Sequence, residues 1–288
     1  MALFAQAMIN GITDGTFLAM MALGITMVFG VARFPNVAHG DFLTVGAYGA
    51  FWCATLLHLP FVVASAGGTA LAILTGLAAY MIIFRQIGDR PITALLVSIG
   101  LSIMMRGTLS FVAGNQQVAY DLPLWQAWRI LGVRIIPLEA GIALASVVVI
   151  VATHLILKYT RIGIEMRAVA DNPVLARTGG INAERVNRAT WSIALGVGGL
   201  AGIFVAAKTA ISPDMGWNLL LPAFAAAVLG GLGSPYGAIA AGLIIGLAQN
   251  VATLWISDTY KITFAFIVLI ATLLIRPEGL TGKGAAAR

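Results

Sequence analysis

Three polar side chains, Asn36, His39 and Asp41, fall together in the stretch FPNVAHGDFLTVGAY at residues 34–48, between two long apolar runs. Either the chain has left an apolar environment there, with Asn36 and Asp41 capping the helix that follows, or these groups line something wet. Other chemistry is thin. His58 and His154 stand alone, and none of the three histidines belongs to an HExxH pattern or a Cys/His cluster, so no metal site is expected. The single cysteine, Cys53, lies in the apolar run FWCATLL and cannot form an intramolecular disulfide. The one Gly-Lys pair, Gly282-Lys283, is followed by Gly284 and has Pro277 where a phosphate-cradling loop needs its first glycine. The chain therefore carries no ATP site of that type and is not expected to be an enzyme.

The elements that must position these residues follow from composition. Of 288 residues, 60% are hydrophobic and 10% charged, whereas a soluble domain carries about 25% charged residues. The solvent for most of this chain is lipid. A span needs about 20 apolar residues, and nine candidate segments are read at 5–32, 42–57, 61–84, 91–113, 138–157, 189–211, 219–232, 236–256 and 261–276. The fold class is all-α, a polytopic transmembrane bundle of eight to nine segments with short or broken helices. No internal repeat or linker divides it, so residues 1–288 form one membrane domain. The net charge of +6 records loops facing the cytoplasm, not nucleic-acid binding.

Loop charge orients the spans. Residues 158–188 hold Lys158, Arg161, Arg167, Arg177, Arg185 and Arg188 against Glu165, Asp171 and Glu184, which makes this loop cytoplasmic by the positive-inside rule. Counting outward places Arg85 and Arg90 inside and 114–137, 212–218 and 257–260 outside. Arg276, Lys283 and Arg288 then lie inside. The first basic residue is Arg33, so a cleaved signal peptide is not expected and the N-terminus faces outward. NVAHGD lies at the inner end between the first two spans. Arg106 and Lys208 are the clearest ionisable groups inside spans, each in an outward half from which a long side chain can snorkel. No carboxylate is read well inside a span, which weighs against proton-driven transport.

Two loops carry start and stop signals. In 158–188, Asn172 can cap a helix, Pro173 suits its first turn, and Gly179 or Gly180 can stop it in a left-handed conformation. A helix of about two turns results, between two longer ones, with Asn182 positioned to cap the next. A tether needs none of this; a stiff helix in such a loop is a docking element. In GGLGSPYG (230–237), Gly231, Gly233 and Pro235 break what would otherwise be one long helix. The pairs Gly198/Gly202 and Gly242/Gly246 allow close helix packing.

With these pieces placed, the chain resembles the membrane permeases of branched-chain amino-acid ABC importers. The resemblance rests on NGITDGTFLAMMALGITMVFG (10–30), NVAHGDFLTVGAY (36–48), GIEMRAVADNPVLARTGGIN (163–182), AFAAAVLGGLGSPYGAIAAG (223–242) and RPEGLTG (276–282), in order along almost the whole length. It implies pairing with a homologous or identical permease, two cytoplasmic ABC ATPases that bind ATP and Mg, and a periplasmic solute-binding protein, in a bacterial inner membrane. It also implies that Gly163, Arg167, Asn172, Pro173, Ala176 and Gly180 belong to an ATPase-coupling loop. The importer pattern Glu-Ala-Ala, three residues, Gly survives here as Val174-Leu175-Ala176, Arg177-Thr178-Gly179, Gly180, with the Glu and first Ala replaced. For Asn36, His39 and Asp41 it adds a third setting, the inner mouth of a translocation path or the ATPase interface. The expected function is a path for branched-chain or related amino acids, driven by ATP hydrolysis on another subunit. The alternative is an ATP-independent channel or secondary carrier for a small polar solute such as an amide or urea.

Overall fold

The structure is a computed structural model that describes residues 2–88, 90–123, 125–130, 132–275 and 279–280. Arg276, Lys283, Arg288 and most of RPEGLTG lie outside the described residues. In chain order the helices are α1 (Ala2–Ala32), α2 (His39–Leu56), α3 (Phe61–Ile87), α4 (Pro91–Ala113), α5 (Pro137–Tyr159), α6 (Arg161–Asp171), α7 (Pro173–Thr178), α8 (Ala183–Lys208), α9 (Met215–Gly230), α10 (Pro235–Ala252) and α11 (Lys261–Ile275). Each of the nine expected segments coincides with a helix, with bounds that differ by up to six residues: the segment expected from 189 starts at Ala183. Among the described residues, seven helices, the last counted with the turn that leads into it, are long and apolar enough to cross a membrane. The other two long helices are α2, whose start is polar, and α9, which has only 16 residues.

Among the described residues, those within 1–26, 122–150 and 221–288 form one compact unit and those within 27–121 and 151–220 a second. In the first, α10 lies on α1. Gly242 faces Ala19 and Gly246 faces Gly15 so closely that a methyl group on either would strike backbone, which realises the packing role of that glycine pair. Asn250 Nδ2 donates to Asp14 Oδ2 at 3.0 Å beside this contact. The α9–α10 break is a tight turn with Gly231 at φ 96° and Gly233 at φ 91°. Ser234 caps α10 by accepting from the Gly237 N–H, and Pro235 is its first residue.

A feature not read from the sequence is a small antiparallel hairpin, β1 (Trp128–Ile130) with β2 (Val133–Ile135). The Gln6 side chain closes its edge: its amide donates to the Arg134 carbonyl at 3.0 Å and accepts from the Arg134 N–H at 2.8 Å. Alternation in WRI and VRI around a glycine at φ 82° was the available signal.

The second unit is built on α2, α3 and α8, which pack against one another. Gly198 and Gly202 of α8 meet Leu43 of α2, the same close-approach device as in the first unit. Tyr48, Trp191, Leu195 and Ile203 are fully enclosed. In α3 a π-helical turn at Tyr80–Phe84 widens the helix, and the Tyr80 and Phe84 rings pack tilted against Trp191 there. Loop 114–121 folds back onto this unit. Val118 and Ile211 bridge through both backbone bonds, and the Tyr120 hydroxyl donates to the Ala47 carbonyl at 2.9 Å. Burial pushes the Tyr120 phenol far above its ordinary value, so it remains a neutral donor.

Candidate functional site

The stretch 33–38 leaves α1 without forming a helix and climbs along α4. Arg33 donates to the Ala170 carbonyl at one end. Four residues later, the Val37 N–H donates to Ser98 Oγ at 3.1 Å, a point about 10 Å along α4 from Pro91. Helix α2 therefore begins well above the Pro91 end of α4, not level with it. This corrects the expectation that NVAHGD stays at the inner end of the spans. The capping expectation is corrected as well. Ala38 occupies the N-cap with no side-chain cap bond, Asp41 sits within the first turn, and Asn36 Oδ1 accepts from the Ala38 N–H at 3.1 Å.

The three polar residues do not converge. His39 points to α8, near Gly198, and neither ring nitrogen has a hydrogen-bond partner among the described residues. Asp41 points to α4. Its carboxylate is 1% exposed and lies 3.5 Å from Arg106 Nε, while Arg106 Nη1 lies 3.8 Å from Asp214 Oδ1. The Trp217 ring covers the guanidinium at 4.4 Å. Asp41 is thus a buried carboxylate in the first turn of α2, ahead of the expected 42–57 segment; the expectation that no carboxylate lies well inside a span is corrected by Asp14 of α1, which accepts from Asn250 Nδ2. Arg106 does not snorkel freely either: it is held between two carboxylates and an indole. Lys208 is the last residue of α8, at a helix end and not deep within it.

Four further residues of this cluster escaped the sequence reading: Tyr48, Ser102, Asp214 and Trp217. The Ser102 hydroxyl lies beside the Asp41 carboxylate, and the Tyr48 hydroxyl is buried without a hydrogen-bond partner among the described residues. Helix α9 starts beside α2, where the Gly216 N–H donates to Thr44 Oγ1 at 2.9 Å. Gly40 and Gly216 are in backbone contact there, so any side chain at either would push the two helix starts apart.

The loop 158–188 is as ordered as its capping signals imply. Thr160 caps α6 through the Gly163 N–H. Asn172 caps α7 by accepting from the Val174 and Leu175 N–H groups, both at 3.0 Å. Pro173 is the first residue of α7. Of the two candidate stops, Gly180 takes the left-handed conformation at φ 81°, and Gly179 stays at φ −75°. Asn182 caps α8 through the Arg185 N–H. Gly163 fits against the Leu157 carbonyl with no room for a methyl, and Arg167 donates to that same carbonyl. Ala176 is buried, while Val174 and Leu175 are 70% and 68% exposed. Helix α7 is thus anchored through Ala176, with Val174 and Leu175 among its exposed residues. Behind it, a pocket of about 490 Å³ is lined by Arg177, Glu184, Arg85, Tyr80, Phe34 and Trp191 among others. It joins the docking-type helix to the ends of α1, α3 and α8.

Nine long helices among the described residues, apolar surfaces on most of them and a structured charged loop define a multi-pass membrane protein. The particular family follows from comparison with known proteins. Residues 7–273 match the model of the family described as branched-chain amino acid transport system / permease component, and the chain belongs to that family. It is 31% identical to the high-affinity branched-chain amino acid transport system permease protein LivH of Salmonella typhimurium, over 97% of this chain and 96% of that protein. It is 28% identical to the probable branched-chain amino acid transport permease protein LivH of Methanocaldococcus jannaschii, over 95% and 91%. A more distant likeness, 25% identity over 89% and 81%, is to the ribose import permease protein RbsC of Escherichia coli.

Proposed function

We propose that this chain is the permease subunit of an ATP-driven importer and forms the translocation path for branched-chain or related amino acids. Hydrolysis takes place on two separate cytoplasmic ATPase subunits that bind ATP and Mg. A second permease, identical or homologous, completes the path, and a periplasmic solute-binding protein delivers the solute. The observation that carries the reading is α7: a two-turn helix capped by Asn172, stopped by Gly180 and anchored through Ala176, with Val174 and Leu175 left open. Two exposed apolar side chains on a fixed helix in a basic loop suit a groove on a cytoplasmic partner. Movement of that partner would reach the ends of α1, α3 and α8 through the residues behind Arg177. ATP must favour one state of the path over the other, since equal affinity for both would shift nothing.

The alternative, a carrier without ATP, regains one supporting feature in the buried Asp41. It offers no reason for the rigid helix α7. Purification of the chain from its native membrane should bring down an ATPase whose turnover rises with amino-acid-loaded binding protein. Leucine uptake at full rate in ATP-depleted vesicles would sink the ATP-driven reading.

A further inference from the structure

Arg106 faces two carboxylates of opposite exposure and bonds well to neither. Asp41 is enclosed, at 1% side-chain exposure, Asp214 is open at 69%, and Arg106 lies between them at 20%. Charge-assisted N–H···O bonds run at about 2.7–2.9 Å, whereas these two contacts measure 3.5 and 3.8 Å. Asp41 and Arg106 Nε face each other as a long ion pair with only the Ser102 hydroxyl beside the carboxylate, and the buried Tyr48 hydroxyl has no hydrogen-bond partner among the described residues. Buried ionic and polar groups left so poorly satisfied are costly in a completed structure. They are explained if another molecule supplies the missing partners.

The charges state what that molecule is. A guanidinium wants an anion and an enclosed carboxylate wants a cation, a short distance apart. The starts of α2 and α9 meet at Gly40 and Gly216 beside them, and helix starts favour an anionic group. A neutral polyol would answer the hydroxyls but neither ion. A simple amine or a simple carboxylate would answer one ion and leave the other stranded. An α-amino acid zwitterion answers both and leaves the charge of the cluster unchanged. We propose that Asp41 and Arg106 form a binding site for the α-ammonium and α-carboxylate of a zwitterionic amino acid, with Asp214 the exposed stand-in that yields Arg106 to the incoming carboxylate. The proposal rests on the transport reading above and names the part of the solute that this chain recognises. Trp217, stacked on the guanidinium, positions it; the solute side chain plays no part in the ion contacts.

The test uses Asn218, an exposed residue on the first turns of α9 next to Trp217. The full chain with Cys53→Ala and Asn218→Cys, in membrane vesicles without ATP, is labelled with a charged thiol reagent. L-leucine, 3-methylbutylamine, 4-methylpentanoate or ribose is added in parallel. L-leucine should slow labelling about threefold at twice its dissociation constant, the factor 1 + [L]/Kd, and the other three should not. Protection should disappear with the isosteric change Asp41→Asn and with Arg106→Gln. The analogue series requires no change at the site itself, so a variant that fails to accumulate leaves the test intact. Absence of protection by leucine, equal protection by the single-ion analogues, or protection that survives both substitutions overturns the proposal. ATP-driven uptake by the complete transporter is measured alongside. Leucine uptake without protection overturns this site alone, whereas no uptake of any amino acid overturns the transport reading.

Discussion

Gly180 has open space where a side chain would go, yet its φ of 81° makes most side chains strained there. A β-branched residue in this conformation costs about 1–2 kcal/mol, which the two-turn helix α7 cannot absorb without losing its stop. Gly180→Val should therefore reach normal membrane levels but lose both leucine uptake and stimulation of the ATPase by loaded binding protein. Gly180→Asn should keep most of both, because asparagine tolerates the left-handed region. Normal coupling in the valine variant would show that α7 is not the coupling element. The opposite end of the same helix offers a second check. Asn172→Ala removes the acceptor of the Val174 and Leu175 N–H groups and should cost about 1 kcal/mol. Amide hydrogen exchange at those two positions should accelerate while α6 and α8 keep their protection.

At the scale of elements, the turn between α9 and α10 depends on two left-handed glycines in succession, Gly231 and Gly233. Replacing both with leucine should straighten the connection, crowd the packing of α10 on α1 and reduce assembled protein, as read by yield and monodispersity in detergent. Full assembly and transport would show the turn to be dispensable. Elements of this kind are legible because their signals are local: an Asn-Pro start, a Gly stop, a Gly/Pro break, or a run of apolar residues. Capping bonds span two or three residues, and the sequence displays both partners side by side. The Asp41–Arg106 contact has no such signature. Its partners sit on different helices with α3 between them in the chain, and a lone arginine in a span looks the same whether it snorkels or pairs. The unwound stretch 33–38 was misjudged for a related reason. Six residues of loop look alike whether they turn at a surface or climb beside α4, and the Val37–Ser98 contact distinguishes the two.

For the whole molecule, orientation rests on the charge of 158–188 and is tested directly. In a Cys53→Ala background, Thr178→Cys should react with an impermeant thiol reagent only from the cytoplasmic side, and Asn218→Cys only from the other. The reverse pattern would invert the topology, and reactivity of both from one side would break the span count. Both positions are exposed, so the outcome reports sidedness and not burial. The buried carboxylate also bears on how the chain is made. A nascent α2 carries Asp41 in its first turn into the translocon before Arg106 has been synthesised, and an unpaired aspartate opposes entry into lipid. Helix α2 alone is thus a poor candidate for release into the bilayer. It becomes a good one when α4 arrives with the opposite charge, so the early helices should partition together, as a group. In a released chain that ends before Arg106, Cys53 of α2 should be open to a charged thiol reagent, and in one that ends after Ala113 it should be protected.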